Sequence, residues 1–137
     1  MEGLRMFGII QVTTSNQSDA VDVTDLVARK VKEKGLQNGV CFVEVPHTTA
    51  GVAINEGADP AVMEDVLSAL DRMVPWRGDY KHMEGNSAAH IKTVLVGSGV
   101  QVFVDNGRLS LGTWQRIFLF EFDGPRTRKI RVKLISE

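Results

Sequence analysis

The sequence predicts an α+β domain in which a mainly antiparallel sheet carries about three helices. Three observations support this: strand-like runs crowd both ends of the chain, helical periodicity is confined to the stretch between them, and no Pro- or Ser-rich linker interrupts the 137 residues. Residues 1–137 therefore read as one domain. Such a chain buries about two-thirds of the surface of its unfolded form and needs neither disulfide nor structural metal to fold.

The first strand runs from Met6 to Thr14, rich in β-branched and apolar residues, and closes at Ser15 to Ser18. Asp22 or Thr24 then caps a helix whose Val23, Leu26, Val27 and Val31 share one face, with Gly35 as its terminator. Val40 to Val45 reads as a buried strand stopped by Pro46, and Gly51 to Ile54 as a short second strand. Asp59-Pro60 supplies an N-cap and a first-turn proline. Met63, Val66, Leu67, Leu70, Met73 and Val74 follow as one apolar stripe, ended by Pro75.

Trp76 to Gly85 reads as a loop and Asn86 to Val96 as a third helix, its apolar period set by Ile91, Val94 and Leu95. Beyond Gly97 the chain turns to β structure. Val100 to Val104 leads into the Asp105-Asn-Gly107 turn, then Leu109 to Leu111, Ile117 to Phe122, a turn at Asp123-Gly-Pro125 and a closing strand. In that last strand Ile130, Val132 and Leu134 alternate with Arg131 and Lys133, as in a sheet with one wet face or a charged edge.

Composition narrows the function classes. With 43% hydrophobic and 24% charged residues and a net charge of -1, the chain has no overall basic footprint, so no nucleic-acid partner is expected, although Arg126, Arg128, Lys129, Arg131 and Lys133 gather positive charge near the C-terminus. The single Cys41 lies in an apolar run, which argues against a disulfide-stapled secreted fold. Neither a leader nor a membrane span is visible, so cytoplasmic residence and no membrane partner are the expectation.

The three histidines, His47, His82 and His90, all stand in the middle of the chain at junctions between elements, where functional residues concentrate. Imidazole is the commonest metal ligand and titrates near working pH. If the three converge, they suit zinc or a similar divalent ion with an open fourth position. Three unlinked histidines without a His-x-x-x-His pair are also what composition alone supplies, and without metal they act as acids, bases or phosphate partners. Asn86 and His90 share a helix face. Asn55, Glu56 and Asp59 are candidates to hold magnesium or orient a ring, against helix capping for Asp59.

Glu121 interrupts a strand apolar on both faces, where a charge requires a buried partner such as His or Arg, or a subunit interface. Gly112, Thr113, Trp114 and Gln115 link two strands without a hairpin turn and offer close approach, hydrogen bonds and an aromatic cover, though burial in the core is the commoner fate of a tryptophan. Arg108, Arg116 and Arg126 are candidates for phosphate recognition.

Several of these residues fall in blocks that resemble a known family. His47-Thr-Thr-Ala-Gly-Val-Ala-Ile-Asn-Glu56, Tyr80-Lys-His82, Gly85-Asn86, Ala89-His90-Ile-Lys92, Gly107-Arg-Leu-Ser-Leu-Gly-Thr-Trp-Gln115 and Glu121-Phe-Asp-Gly-Pro-Arg126 look like the YjbQ family, also called UPF0047 or the secondary thiamine-phosphate synthase family. Almost the whole chain is covered, in order. Glu84 and Ser87 depart from the Asp-Gly-Asn-Ala-like stretch expected there, and Arg116 stands where glycine is common.

The resemblance implies a homotrimer with the three histidines near a subunit boundary, binding a divalent metal, zinc or magnesium. The implied reaction joins hydroxymethylpyrimidine diphosphate to a thiazole phosphate with release of pyrophosphate, as a secondary activity. His47, His82, His90 and Glu121 are then the expected catalytic residues, and Thr48, Asn55, Asn86, Arg108, Gly112, Thr113, Trp114 and Gln115 the expected substrate contacts. A metal-dependent hydrolase or phosphotransfer enzyme, and a non-catalytic trimer binding a phosphorylated metabolite, are the alternatives.

Overall fold

The protein is described by a computed structural model covering residues 6–137; Met1 to Arg5, part of the stretch read above for a leader, lie outside the described residues. The chain runs β1 (Phe7–Thr13), β2 (Asp19–Asp22), α1 (Thr24–Lys34), β3 (Gly39–Glu44), β4 (Ala50–Glu56), α2 (Pro60–Met73), α3 (Ser87–Val96), β5 (Gly99–Asp105), β6 (Arg108–Leu109), β7 (Gln115–Glu121) and β8 (Thr127–Ser136). One sheet has the order β1-β8-β3-β5-β6, the other β2-β7-β4, and every pairing is antiparallel. The α+β class read from the sequence is the observed one.

Alternation decides how these elements stack. Ile130, Val132 and Leu134 of β8 point inward with Ile10, Val12, Cys41, Val43, Val102 and Val104, and meet Ile117 and Leu119 of β7 and Val27 and Val31 of α1 in the main core. The other face of β7 presents Phe118 and Phe120, followed by Phe122, to Met63, Val66, Leu67 and Leu70 of α2 and to Ala89 of α3. β7 is thus covered on both faces, which explains its unbroken apolar run. Burial pushes the Cys41 thiol up to about 12, so it sits in the core as an inert apolar group.

Turn chemistry matches the geometry at two places. Gly35 ends α1 in the left-handed region, at φ 73°, and donates to the carbonyls of Val31 and Lys32. Asn106 and Gly107 both take positive φ, 51° and 76°, as a tight two-residue hairpin turn requires.

Elsewhere the structure corrects the sequence reading. β2 escaped it, because only Ala20 and Val21 are apolar, yet the segment pairs with Phe118–Glu121. The strand expected at Leu109 to Leu111 shrinks to the two residues of β6, and β4 extends to Glu56. The larger difference is in α3. Ile91, Val94 and Leu95 set its apparent apolar stripe, but the helix buries Ala88, Ala89, Lys92 and Thr93 instead and leaves Val94 81% exposed. Small residues allow the helix backbone to come close to β4: a Cβ on Gly51 would lie 2.5 Å from the Gly97 carbonyl oxygen. Among the described residues, no helix is long and apolar enough to cross a membrane.

Candidate functional site

The loop after α2 and the start of α3 bring two of the three histidines together. Their rings lie edge to face, with centroids 5.2 Å apart. His82 and His90 line an open hollow of about 470 Å³ with Asp79, Tyr80, Lys81, Ser87 and Ile91. Tyr80 anchors the loop by donating its hydroxyl to the Pro75 carbonyl at 2.6 Å. The hollow includes Ser87 at the start of α3, where the leading N–H groups precede the helical ladder and attract anions. Lys81 adds a cation and Ser87 a hydroxyl to the same place.

His47 lies elsewhere. It lines a second hollow, of about 520 Å³, with Thr48, Thr49, Ser98, Arg126, Arg128, Arg131 and Glu44. Its Nε2 accepts the Lys129 N–H at 2.9 Å, so the ring is neutral and carries its proton on Nδ1. Burial, and then the Arg128 guanidinium, hold His47 below the ordinary histidine range. Among the described residues, no group of three His, Cys, Asp or Glu side chains is placed to hold one metal ion. A single chain therefore does not assemble the expected three-imidazole cluster; it offers one pair and one separate ring.

Glu121 is fully buried, at 0% exposure, and so is its partner Arg128, at 2%. Arg128 donates Nε to Oε1 at 2.8 Å and Nη2 to Oε2, a bidentate pair. The remaining acceptor positions take the Thr14 hydroxyl and the Asp123 N–H, each at 2.9 Å. Nη2 also donates to Thr49 Oγ1 at 2.8 Å and to the Thr49 carbonyl at 3.1 Å. Burial raises the Glu121 carboxyl, but Arg128, the Asp123 N–H and Thr14 outweigh it and keep the group below its ordinary range. The buried partner demanded by the sequence is thus Arg128. Glu121, expected to be catalytic, is held in a buried ion pair with its acceptor positions filled from within the chain.

A polar chain runs from Arg126, on the His47 hollow, to Asn86, the residue before Ser87 of the other. Arg126 donates Nη2 to Asp123 Oδ2 at 3.1 Å and Nε to the Asp123 carbonyl at 2.9 Å. Asn86 donates Nδ2 to the same carboxylate oxygen at 3.0 Å. Sequence reasoning missed Lys92, which lies on the buried side of α3, donates to Asp71 of α2 and stands 5.8 Å from the Phe122 ring centroid. No apolar periodicity could reveal it, since a buried lysine is visible only from its partners.

The other expected contacts are dispersed. Gly112, Thr113, Trp114 and Gln115 form the turn before β7, where Gly112 N–H donates to Gln115 Oε1 at 2.8 Å. Gln115 pairs with Glu56, whereas Glu121 pairs with Ala50. The two ends are six residue steps apart, roughly 20 Å. Trp114 is 63% exposed rather than in the core, because its turn lies beyond the end of the sheet. Asn55 Oδ1 accepts the Glu56 N–H at 2.8 Å, Asp59 caps α2 through the Ala61 N–H at 2.9 Å, and Arg108 is exposed on β6. Arg116 pairs with Asp22 at 2.7 Å and Asp25 at 3.2 Å, which gives it an intrachain role in place of phosphate binding.

The shifts at His47 and Glu121 fix the sign of the acid response. The unfolded chain takes up a proton on His47 first, near pH 6.5, and on a free glutamate near about 4.3. Both folded values are lowered, so stability is full above about pH 6.5 and falls in two stages below it. Urea midpoints measured across this range should show both stages, and His47→Asn should remove the upper one. Persistence of the upper stage in that variant would show that other groups cause it.

The fold and these hollows define a class: two stacked antiparallel sheets backed by helices, with paired imidazoles at a helix N-terminus. A family model described as "UPF0047 protein YjbQ-like" matches residues 8–137. The chain belongs to that family. It is 45% identical to the UPF0047 protein YugU of Bacillus subtilis over 132 residues, covering 96% of this chain and 100% of that one. A UPF0047 protein of Methanocaldococcus jannaschii is 41% identical, covering 98% and 97%. A crystal structure from Clostridium acetobutylicum, described as an uncharacterized YjbQ/UPF0047-family protein, superposes with a TM-score of 0.91 at 53% identity, covering 93% and 98%. A Sulfolobus solfataricus protein of unknown function gives 0.91 at 37% identity, covering 96% of each chain.

Proposed function

We propose that this chain is an enzyme acting on a phosphate or diphosphate ester of a small molecule at the His82–His90 hollow. The specific reaction is of the thiamine-phosphate synthase type, joining hydroxymethylpyrimidine diphosphate to a thiazole phosphate. The observation that supports this reading is the convergence of two imidazoles, Lys81 and Ser87 on the open end of α3. In this coupling pyrophosphate departs, a benzylic-type cation forms, and the thiazole nitrogen attacks it. The protein's task is to hold the diphosphate and neutralise its growing charge, which suits Lys81 and the N–H groups of the α3 first turn.

A divalent ion belongs to this reading. The donor set fits: the adjoining His82 and His90 rings, 5.2 Å between centroids, would hold the ion through imidazole nitrogens. Imidazole nitrogens favour zinc over magnesium, which prefers oxygen. The ion, when bound, supplies a Lewis acid for phosphate oxygens. Within one chain His47 stands outside this hollow, on the second one, with its Nε2 engaged by the Lys129 N–H.

The implied homotrimer has support of the same kind. A closed ring of three needs two different faces that meet. The chain exposes two apolar faces: Phe42, Phe103 and Ile135 on the uncovered side of the larger sheet, and Ile91, Val94 and Leu95 on α3, beside the hollow. Cytoplasmic residence is part of the same reading, with Cys41 kept as a thiol.

The paired imidazoles also favour a second reading, metal-dependent hydrolysis or phosphotransfer, because an ion they hold can activate water. Purified protein with zinc or magnesium and both substrates should release pyrophosphate in step with thiamine phosphate. Phosphate release without coupling would favour the second reading, and tight binding without turnover would leave a non-catalytic binder.

A further inference from the structure

The polar chain Arg126–Asp123–Asn86 ends on an atom that the fold leaves without a partner. Asn86 Oδ1 is buried and has no donor among the described residues, the only side-chain atom there in that state. A buried carbonyl oxygen without a hydrogen bond is costly and calls for a specific cause. Helix capping is not that cause. Asn86 stands at the N-terminal boundary of α3, but its side chain makes no cap bond; only its backbone carbonyl accepts, from the Ala89 N–H at 3.0 Å and the His90 N–H at 3.4 Å. The amide is held instead by its Nδ2, which donates to Asp123.

We infer that Asn86 Oδ1 is the acceptor that orients the His90 ring, taking the proton of His90 Nδ1 when the hollow is filled. The two residues adjoin at the first turn of α3, where the Asn86 carbonyl accepts the His90 N–H, and helical side chains lean toward the N-terminus, which brings the His90 ring toward Asn86. Nδ1 is the ring nitrogen nearer the backbone and therefore nearer Asn86. With the proton fixed there, the lone pair of Nε2 is free to face the hollow shared with His82. Asn86 is then a positioning residue. Asp123 holds its amide in one orientation, because the Nδ2 group must point at the carboxylate, and Arg126 holds Asp123 in turn. Ring orientation by an outer hydrogen bond is general for histidines that bind ions. The inference rests on the reading of the His82–His90 hollow as the site, and it adds how one of its two rings is set.

Protein carrying ¹⁵N-labelled histidine tests this by long-range ¹⁵N–¹H spectra of the His90 ring, recorded without metal and with zinc alone. The wild type should show the Nδ1–H form in the zinc-bound state. Asn86→Ala should weaken zinc binding about 10- to 100-fold and, with zinc bound, add a second set of His90 ring signals in which Nε2 carries the proton, with the melting transition confirming an intact fold. The reciprocal exchange, Asn86→Asp with Asp123→Asn, keeps the side-chain bond and an oxygen toward His90, so it should restore the wild-type ring signals and affinity. Ring signals in Asn86→Ala identical to the wild type would overturn the assignment and leave Oδ1 to a buried water. A wild type that binds no zinc would refute the metal reading; Asn86-dependent ring signals with inorganic phosphate in the hollow would then leave the orienting role standing.

Discussion

Replacing Glu121 by glutamine should cost the protein about 3–5 kcal/mol of stability, the penalty of leaving the Arg128 cation buried without its counter-charge. Glutamine preserves the shape and one acceptor, so the loss isolates charge from packing. Against a total stability of roughly 5–15 kcal/mol, this removes a large fraction of the folded state's margin. The pair also closes one end of the space between the sheets, tying Thr14, Thr49, β7 and β8 together. Glu121→Leu with Arg128→Met removes both charges and should cost less than the sum of the two single changes. It should not reach wild-type stability, because the Asp123 N–H and the Thr49 hydroxyl lose their partners. Chemical unfolding of the five proteins, wild type, Glu121→Gln, the two single changes and the double variant, measures all of this. A Glu121→Gln loss within a few tenths of a kcal/mol would mean that water reaches Arg128.

The second large effect concerns function. His90→Ala should lower both zinc affinity and turnover by about a hundredfold or more, since removing a ligand exceeds the effect of removing its hydrogen-bond partner. His82→Ala should match it. Trp114→Ala should change neither by more than a small factor, because Trp114 lies on the turn leading into β7, at the end of that strand away from Glu121. Isothermal titration with zinc, beside the pyrophosphate assay, separates these outcomes. Equal losses in His90→Ala and Trp114→Ala would place the site at the other end of the small sheet.

The fold was legible where apolar period and turn chemistry agree. Gly35, Asp59-Pro60 and Asn106-Gly107 each force a local geometry that the chain adopts. α3 was legible as a helix but not in its orientation, because close approach to β4 favours alanine over leucine at the contact and turns the larger residues outward. β2 was invisible because its edge position demands little apolar content. Of the site, the histidines and Asn86 stood out by residue type. Their grouping did not, since it depends on which sheet ends meet and on partners such as Asp123 and Lys129 that no spacing encodes. The buried partner of Glu121 was foreseeable from cost alone; its identity was not.

The central claim is that His82 and His90 form one ion- and phosphate-binding place. An anomalous-scattering map at the zinc edge, from crystals grown with zinc, tests it most directly. The account predicts a peak within bonding distance of one nitrogen of each ring, beside Lys81 and the first turn of α3. A peak on His47 alone, with the other two imidazoles free, would contradict it.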